Sequence, residues 1–398
     1  MSSATSNNAA ALLVGAALVG FDAGSIGFVL PAMRAATGAD AREASWLVSL
    51  FVIGQLVALP LAGAAVRRFG AVVVFRSCVA LAAAGAALAA FAAGTPALLA
   101  ARLLQGLGQG PILPIAATLI ALQWPLSRQG RYIGLISAAY GAAFLVAMVG
   151  TPALLIAGWR AAFVVSLVMA LAALATRHAE ASRELATAHA SVPHRAWLQR
   201  EALAIAALSF GTGVGQAALV YFPTLAMLRL HVTGPSTAIL MSPLVVGGMA
   251  ATFGITAAMD RVGARTLLAA GAAATLAGVL LAAAAPPSHG TFMAGAGLLG
   301  LGITGLCGGP LRYAAARAMP AGAQGLAQSA VALATNVGLL GGSIVIGSLA
   351  AIGGDERAAL QMALLATCPV MAATFLSLLV LRGREAAATH AAAITNRR

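Results

Sequence analysis

Residues 11–30 read ALLVGAALVGFDAGSIGFVL, twenty consecutive positions at which only Asp22 carries a formal charge. A helix needs about 20 mainly apolar residues to cross the hydrocarbon core of a bilayer, so this stretch has the composition of a membrane span. The rest of the chain is similar, since 61% of its 398 residues are hydrophobic and 8% are charged. Such a balance lies far outside that of soluble domains and predicts a polytopic membrane protein.

About twelve apolar stretches follow one another, separated by short polar breaks. They lie approximately at 11–31, 45–65, 72–93, 97–120, 132–156, 161–176, 202–225, 237–258, 266–285, 291–314, 326–350 and 359–381. The predicted fold class is therefore all-α, with 12 transmembrane helices. MSSATSNNAA has no basic residue and no cleavage site follows the first stretch, so we expect the first helix to stay in the protein.

The net charge of +13 is explained by topology. All 23 basic residues are arginine, and if the N-terminus is cytoplasmic, sixteen lie on the cytoplasmic side, five on the other, and Arg102 and Arg312 within spans. This is the bias of the positive-inside rule, so we predict an inner-membrane protein with both termini in the cytoplasm. No basic stripe carries interleaved aromatic residues, which argues against nucleic-acid binding.

A polar stretch at 177–201 divides the chain into two sets of about six spans. We predict a six-helix bundle at 1–176, a cytoplasmic linker at 177–200 and a second bundle with a short tail at 201–398. Three short motifs recur at nearly one spacing: RRFG at 67 and DRVG at 260, GLGQGP at 106 and GLGITG at 300, and Gln-Gly at 129 and 324. The offsets of 193, 194 and 195 residues predict a duplicated unit, an arrangement typical of transporters.

These motifs resemble those of the major facilitator superfamily, and its drug/proton antiporter branches in particular. GAAVRRFGAV resembles the family's loop between spans two and three, although Arg67 stands where the family has Asp, and the second copy after span eight is fuller. RLLQGLGQG in span four and GWRAAF after span five are similar to two further motifs. The resemblance implies two pseudo-symmetric bundles, and gating loops that contain Arg67, Arg68, Gly70, Asp260, Arg261, Gly263 and Arg265.

Asp22 is the candidate proton-coupling residue. It lies near the middle of its span, opposite a stripe formed by Gly20, Gly24 and Gly27. An ionisable group at this depth is costly and is by default a functional-site hypothesis. The resemblance gives Arg102 a part in proton coupling. The alternative is that Asp22 only pairs helices, held by Arg102.

Other polar residues within spans are candidates for the wall of a substrate cavity. The predicted substrate-binding residues are Gln55, Gln105, Gln109, Tyr140, Gln216, Tyr221, Gln328 and Asn336. Each is also explained by an ordinary contact between helices. Arg312, late in span ten, either faces the cavity or reaches the cytoplasmic interface.

Several chemistries find no support in the sequence. A chain without lysine has no phosphate-binding GxxxxGK[ST] loop, and the three cysteines have no metal-ligand spacing. We therefore expect no metal, no cofactor and no enzymatic activity.

The predicted function is proton-coupled secondary transport by alternating access, with the bilayer, protons and a small molecule as partners and a monomer as the working unit. Export of a drug-like molecule or metabolite is favoured. Uptake of a small, anionic metabolite by symport or uniport is the first alternative. A membrane sensor or assembly partner that does not transport is the second.

Overall fold

The computed structural model describes residues 3–176, 200–232, 235–307, 309–318, 324–352 and 355–379. Fourteen α-helices and no strand lie within these ranges. The helices are α1 (Ser3–Thr37), α2 (Ala41–Phe69), α3 (Ala71–Ala90), α4 (Thr95–Gln109), α5 (Ile112–Gln123), α6 (Leu126–Leu154), α7 (Arg160–Ala175), α8 (Arg200–Leu230), α9 (Pro235–Val262), α10 (Ala264–Ala284), α11 (His289–Cys307), α12 (Gly309–Ala318), α13 (Gln324–Ala350) and α14 (Glu356–Phe375). Short 3₁₀ helices follow α6 and α14 at Leu155–Ala157 and Leu376–Leu379.

The predicted membrane spans all coincide with these helices. Among the described residues, ten helical segments are long and apolar enough to cross a bilayer, and Arg160–Ala175 and Ser236–Thr252 are shorter apolar helices at the predicted sixth and eighth spans. The all-α membrane fold is therefore confirmed. The predicted linker at 177–200 lies outside the described residues except for Arg200.

The predicted fourth span consists of two helices, α4 and α5. The chain turns at Gly110 and Pro111, where the backbone N–H of Gly110 still donates to Gly106 O at 3.0 Å. Proline has no N–H and its ring collides with the preceding turn, so the helix cannot continue unchanged. The predicted single span at 97–120 is therefore interrupted between two helices at this proline.

Glycines at the helix crossings repeat with the same spacing as the sequence motifs. A Cβ at Gly106 would overlap the carbonyl oxygen of Phe51, and a Cβ at Gly300, 194 residues later, would overlap that of Leu244. Gly20 lies in the same way against Tyr140, and Gly213, 193 residues later, lies against Thr335. Small residues let membrane helices approach until their backbones touch. The two halves of the chain therefore pack their helices in the same way.

Within the described residues, the two halves share apolar packing at one end of the molecule. The largest cluster of buried apolar side chains contains residues of both halves, among them Leu30 and Leu47 from the first half and Leu225 and Leu364 from the second. A second cluster is confined to the first half, and a third to the second half. Among the described residues, apolar packing joins the halves where α1 ends and α14 begins, which we call the closed end.

The glycine contacts predict the effect of adding a single methyl group. Gly106→Ala should destabilise the folded protein because the new Cβ meets the backbone of α2. Gly141→Ala, in α6, is a matched control, since a Cβ there meets nothing within 4 Å. Alanine is favoured over glycine in a helix by about 1 kcal/mol, so the control should be as stable as the wild type or more so. Thermal unfolding of the purified proteins in detergent measures the difference, and equal midpoints for the two variants would contradict this packing.

Candidate functional site

The carboxylate of Asp22 accepts hydrogen bonds from two other helices. Ser166 Oγ, on α7, donates to Oδ1, and Gln109 Nε2, on α4, donates to Oδ2. Gln105 Nε2, one turn before Gln109, approaches Oδ2 at 3.5 Å. The glycine stripe of α1 faces elsewhere, since Gly20 and Gly24 lie against α6. The predicted opposition between Asp22 and the stripe is therefore confirmed, and α1 directs Asp22 into the interior of the first half.

Arg102 reaches Asp22 through Gln105. Its Nη1 donates to Gln105 Oε1 at 2.9 Å, its Nε donates to Leu47 O at 3.1 Å, and its guanidinium lies 4.2 Å from the centre of the Phe51 ring. No ion pair joins Arg102 to Asp22 directly in the described structure. An amide therefore lies between the two charges, and the arrangement in which Asp22 only pairs helices, held by Arg102, stays an alternative to proton coupling.

The Asp22 cluster, defined here as Asp22, Arg102, Gln105, Gln109 and Ser166, is buried in full. The exposed fractions of its five side chains lie between 0 and 4%. Gln109 Oε1 has no hydrogen-bond partner among the described residues. Buried polar groups of this kind raise the energetic cost of a fold unless each one is paired.

The second half packs the equivalent positions with small and apolar residues. The repeat offsets match Asp22 with Gly215, and Arg102, Gln105 and Gln109 with Ala296, Leu299 and Ile303. A Cβ at Gly215 would lie 3.1 Å from the methyl group of Thr275, 3.6 Å from the sulfur of Met371 and 3.9 Å from Ile303, so no charged group stands near it in the described part of the chain. Ala296 and Leu299 belong to the apolar core. Because the same helix packing forms without a charge, it does not itself require the Asp22 cluster.

A second polar group includes residues of both halves. Gln216 Nε2, on α8, donates to Cys307 Sγ at 2.8 Å, at the end of α11. Arg312 interacts electrostatically with the Cys307 thiol and with the hydroxyl of Tyr140, which is on α6 of the first half. The side chain of Arg312 is exposed, while Tyr140 and Gln216 are half-buried. Gln216 thus contacts Cys307, Tyr140 lies within electrostatic range of Arg312, and the binding of substrate by these residues stays a prediction.

The other predicted substrate residues are distributed over the molecule. Gln105 and Gln109 belong to the Asp22 cluster, and Gln55 and Asn336 are half-buried. The side chain of Gln328 lies outside the described residues. Tyr221 is buried at the closed end, where its hydroxyl has no hydrogen-bond partner among the described residues.

An ion pair crosses between the halves at the closed end. Arg34 Nη1, in the last turn of α1, pairs with Glu356 Oε1, at the start of α14. Asp355 caps α14 by accepting from Arg357 N at 2.9 Å. A cation near a helix C-terminus and an anion near a helix N-terminus both complement the helix dipoles. The cleft beside the pair is lined by Tyr221 and by residues that include Thr224 and Ala350.

The predicted gating loops lie away from the closed end. Gly70 and Gly263 both have positive φ, 88° and 80°, at the equivalent turns of the two halves. Arg67 and Arg68 are exposed, and Arg265 Nε donates to Leu378 O at 3.2 Å within the second half. The side chains of Asp260 and Arg261 lie outside the described residues.

Sequence reasoning missed three residues that the structure brings into these sites. Ser166 is one serine in an apolar span, Cys307 is one of three cysteines without metal-ligand spacing, and Glu356 lies between two predicted spans. A serine within an apolar span was an available signal, whereas the Arg34 and Glu356 partnership joins positions 322 residues apart. No group of three or more potential metal ligands occurs in the described part of the chain.

Curated relatives of this chain are transporters. It is 32% identical over 145 residues to a niacin transporter of Acinetobacter baylyi, covering 36% of this chain and 33% of that protein. It is 26% identical over 101 residues to a multidrug export protein of Haemophilus influenzae, covering 25% and 20% of the two chains. The chain thus spans a third or less of the length of these two relatives.

Solved transporters share the fold over nearly the whole chain. A bacterial homologue of the human lysosomal transporter Spinster, in an inward-facing and occupied conformation, superposes with a TM-score of 0.77 at 15% identity, covering 96% of this chain and 97% of the other. A D-xylose–proton symporter gives 0.77 at 16% identity, covering 94% and 97%. The family model of the Major Facilitator Superfamily matches residues 12–258, more than half of the chain. The chain therefore belongs to the Major Facilitator Superfamily.

Proposed function

We propose that this protein is a proton-coupled secondary transporter that exports a small organic compound by alternating access. The observation that carries the proposal is the Asp22 cluster, which one half contains and the other half replaces by Gly215, Ala296 and Leu299. Ionisable residues inside membranes are costly and mark ion or proton pathways. Since the fold packs the equivalent positions without them, we assign Asp22 to proton coupling, with Arg102 modulating it through Gln105.

Alternating access is supported by how the halves meet. Among the side chains that the structure describes, their apolar packing is shared at the closed end and lies in two separate clusters elsewhere. Paired repeats that rock about a central site need contacts of this kind that form at one end while the other is open. The gating loops at Gly70 and Gly263 then bring the halves together at the opposite end in the other conformation. A sensor without transport would need neither the repeat nor the separated cores.

Export, as the proposed direction of transport, is supported by the multidrug export protein among the relatives. We place the protein in the inner membrane as a monomer with both termini in the cytoplasm, in agreement with the distribution of arginine. Its ligands are protons and one small organic molecule at a time.

Uptake of a small organic anion is the second candidate. It is favoured by Arg312, whose exposed guanidinium lies near Tyr140 of the other half, and by the niacin transporter among the relatives. A guanidinium binds a carboxylate with paired hydrogen bonds. Tyr140 and Gln216 would supply further hydrogen-bonding groups.

Asp22→Asn should abolish proton movement that accompanies transport while leaving substrate exchange across the membrane intact. The amide retains the size of the carboxylate but cannot take up and release a proton. Purified protein in liposomes with an internal pH-sensitive dye, challenged with cationic drugs and small organic acids, measures the effect, which should exceed tenfold. Asp355→Asn is the control, because asparagine caps a helix as well as aspartate does. Normal proton movement in Asp22→Asn would remove Asp22 from the mechanism.

Arg312→Gln separates the two candidate cargoes. If the cargo is an anion, this variant should raise KM for organic acids at least tenfold, because the paired hydrogen bonds to the carboxylate are lost. KM for a cationic drug should then be unchanged or lower. Arg76→Gln, an exposed arginine on α3, is the control for a change of net charge. An unchanged KM for every organic acid transported would exclude Arg312 as the anion-binding group.

The ion pair at the closed end predicts how easily that end opens. In a variant with Cys78, Cys307 and Cys368 replaced by alanine, Thr224→Cys reports opening, because Thr224 lines the cleft and is 8% exposed. Glu356→Gln should increase its rate of labelling by a maleimide at least threefold, since the bond between the halves is lost. Arg357→Gln, one position further along α14, should leave the rate unchanged.

Exchange of the two charges tests the pair itself. Arg34→Glu combined with Glu356→Arg should label more slowly than Glu356→Gln, because an ion pair forms again. It should still label faster than the protein with the original pair, because the exchanged charges oppose the helix dipoles. Equal labelling rates at Thr224→Cys with and without Glu356→Gln would show that the ion pair does not hold the closed end.

A further inference from the structure

The hydroxyl of Ser166 has two acceptors within reach. Its Oγ donates to Asp22 Oδ1, and it also lies 3.1 Å from the carbonyl oxygen of Ala162, one turn earlier in α7. A hydroxyl carries a single hydrogen and two lone pairs, and it rotates to suit its surroundings. Ser166 can therefore donate to Asp22 or to Ala162, but to only one of them at a time.

The other neighbours of Asp22 suit its ionised form alone. Gln109 and Gln105 both direct amide nitrogen atoms at Oδ2. An amide nitrogen only donates, whereas a protonated carboxyl group has a hydrogen of its own to give away. The protonated form of Asp22 consequently needs an acceptor, and Ser166 Oγ beside Oδ1 is one.

We propose that Ser166 is a positioning residue whose hydroxyl changes partner each time Asp22 gains or loses a proton. The inference rests on the proton coupling proposed for Asp22. With Asp22 ionised, Ser166 donates to Oδ1. When a proton from water forms an O–H bond at Oδ1, that group donates to Ser166 Oγ, and the serine hydrogen turns to Ala162 O. The serine keeps its own hydrogen throughout, and the proton leaves Oδ1 for water on the other side.

Rotation of the Gln109 amide is a less favourable way to supply the acceptor. Gln109 Oε1 has no partner now, and reversal of the amide would direct it at Oδ2. The nitrogen would then take the place that the oxygen has left, so one buried atom would still be without a partner. The Ser166 hydroxyl is hydrogen-bonded in both of its positions. A buried polar group without a partner costs about 1–3 kcal/mol, so rotation of the Ser166 hydroxyl is favoured over rotation of the Gln109 amide.

The charged surroundings of Asp22 bear on the change of partner of the Ser166 hydroxyl. Arg102 on α4 is the charged group that affects Asp22, and it is connected to Asp22 through Gln105. Ser25, on α1 itself, bonds to the backbone oxygen of Asp22 at 3.3 Å and leaves the carboxylate oxygens to α4 and α7. The proton-bearing atom therefore faces Ser166.

Ser166→Ala tests the inference in liposomes, with two assays of the same preparation. Proton-driven transport should fall at least tenfold, because protonated Asp22 then lacks its acceptor. Substrate exchange without net proton movement should stay within twofold of the wild type. Ser166→Thr, which retains the hydroxyl, should retain at least half of the proton-driven rate. Ser209→Ala is the matched control, since Ser209 is also fully buried and bonds only to Ile205 O of its own helix, at 2.7 Å.

The outcomes separate this inference from the function on which it rests. Normal proton-driven transport in Ser166→Ala, with coupling lost in Asp22→Asn, would overturn the role of Ser166 and leave the proposed function standing. Equal loss of exchange and of proton-driven transport in Ser166→Ala would also overturn it, because it would mark a structural role. Normal coupling in Asp22→Asn would overturn the proposed function itself.

Discussion

Helices in this protein cross where glycine lets backbone meet backbone, and the rest of the structure depends on these crossings. At Gly106 and Gly300 a helix lies against the carbonyl oxygen of its neighbour so closely that a methyl group has no space. Water cannot satisfy polar groups inside a bilayer, so helices there are held by close packing and internal hydrogen bonds. Because the crossings recur at one offset, they fix two halves with the same internal geometry.

That shared geometry makes the difference between the halves informative. The first half contains a carboxylate, a guanidinium, two amides and a hydroxyl where the second half contains small and apolar side chains. A polar network buried at this depth costs stability unless its members satisfy one another. The hydrogen bonds from Ser166 and Gln109 to Asp22, and from Arg102 to Gln105, keep that cost low. A buried polar site with a single carboxylate thus lies in one half of a symmetric scaffold, and proton coupling through it is our proposal.

The closed end connects this site to movement of the halves. The apolar cluster shared by both halves and the pair between Arg34 and Glu356 lie at the same end of the molecule. Both must separate if the halves rock, whereas the crossings at Gly106 and Gly300 each lie within one half.

The sequence by itself determined the membrane fold, the span positions and the repeat, because hydropathy over about 20 residues and glycine at fixed offsets are local properties of the chain. It also identified Asp22, since a lone acid in an apolar span is evident without coordinates. Only the tertiary structure decided which groups touch it. Gln105 separates Asp22 from Arg102, Ser166 reaches it from α7, and Glu356 meets Arg34 across 322 residues. The physical reason is that hydrogen bonds and ion pairs act over a few ångströms between helices whose rotation and depth are set by packing, which composition and periodicity do not specify.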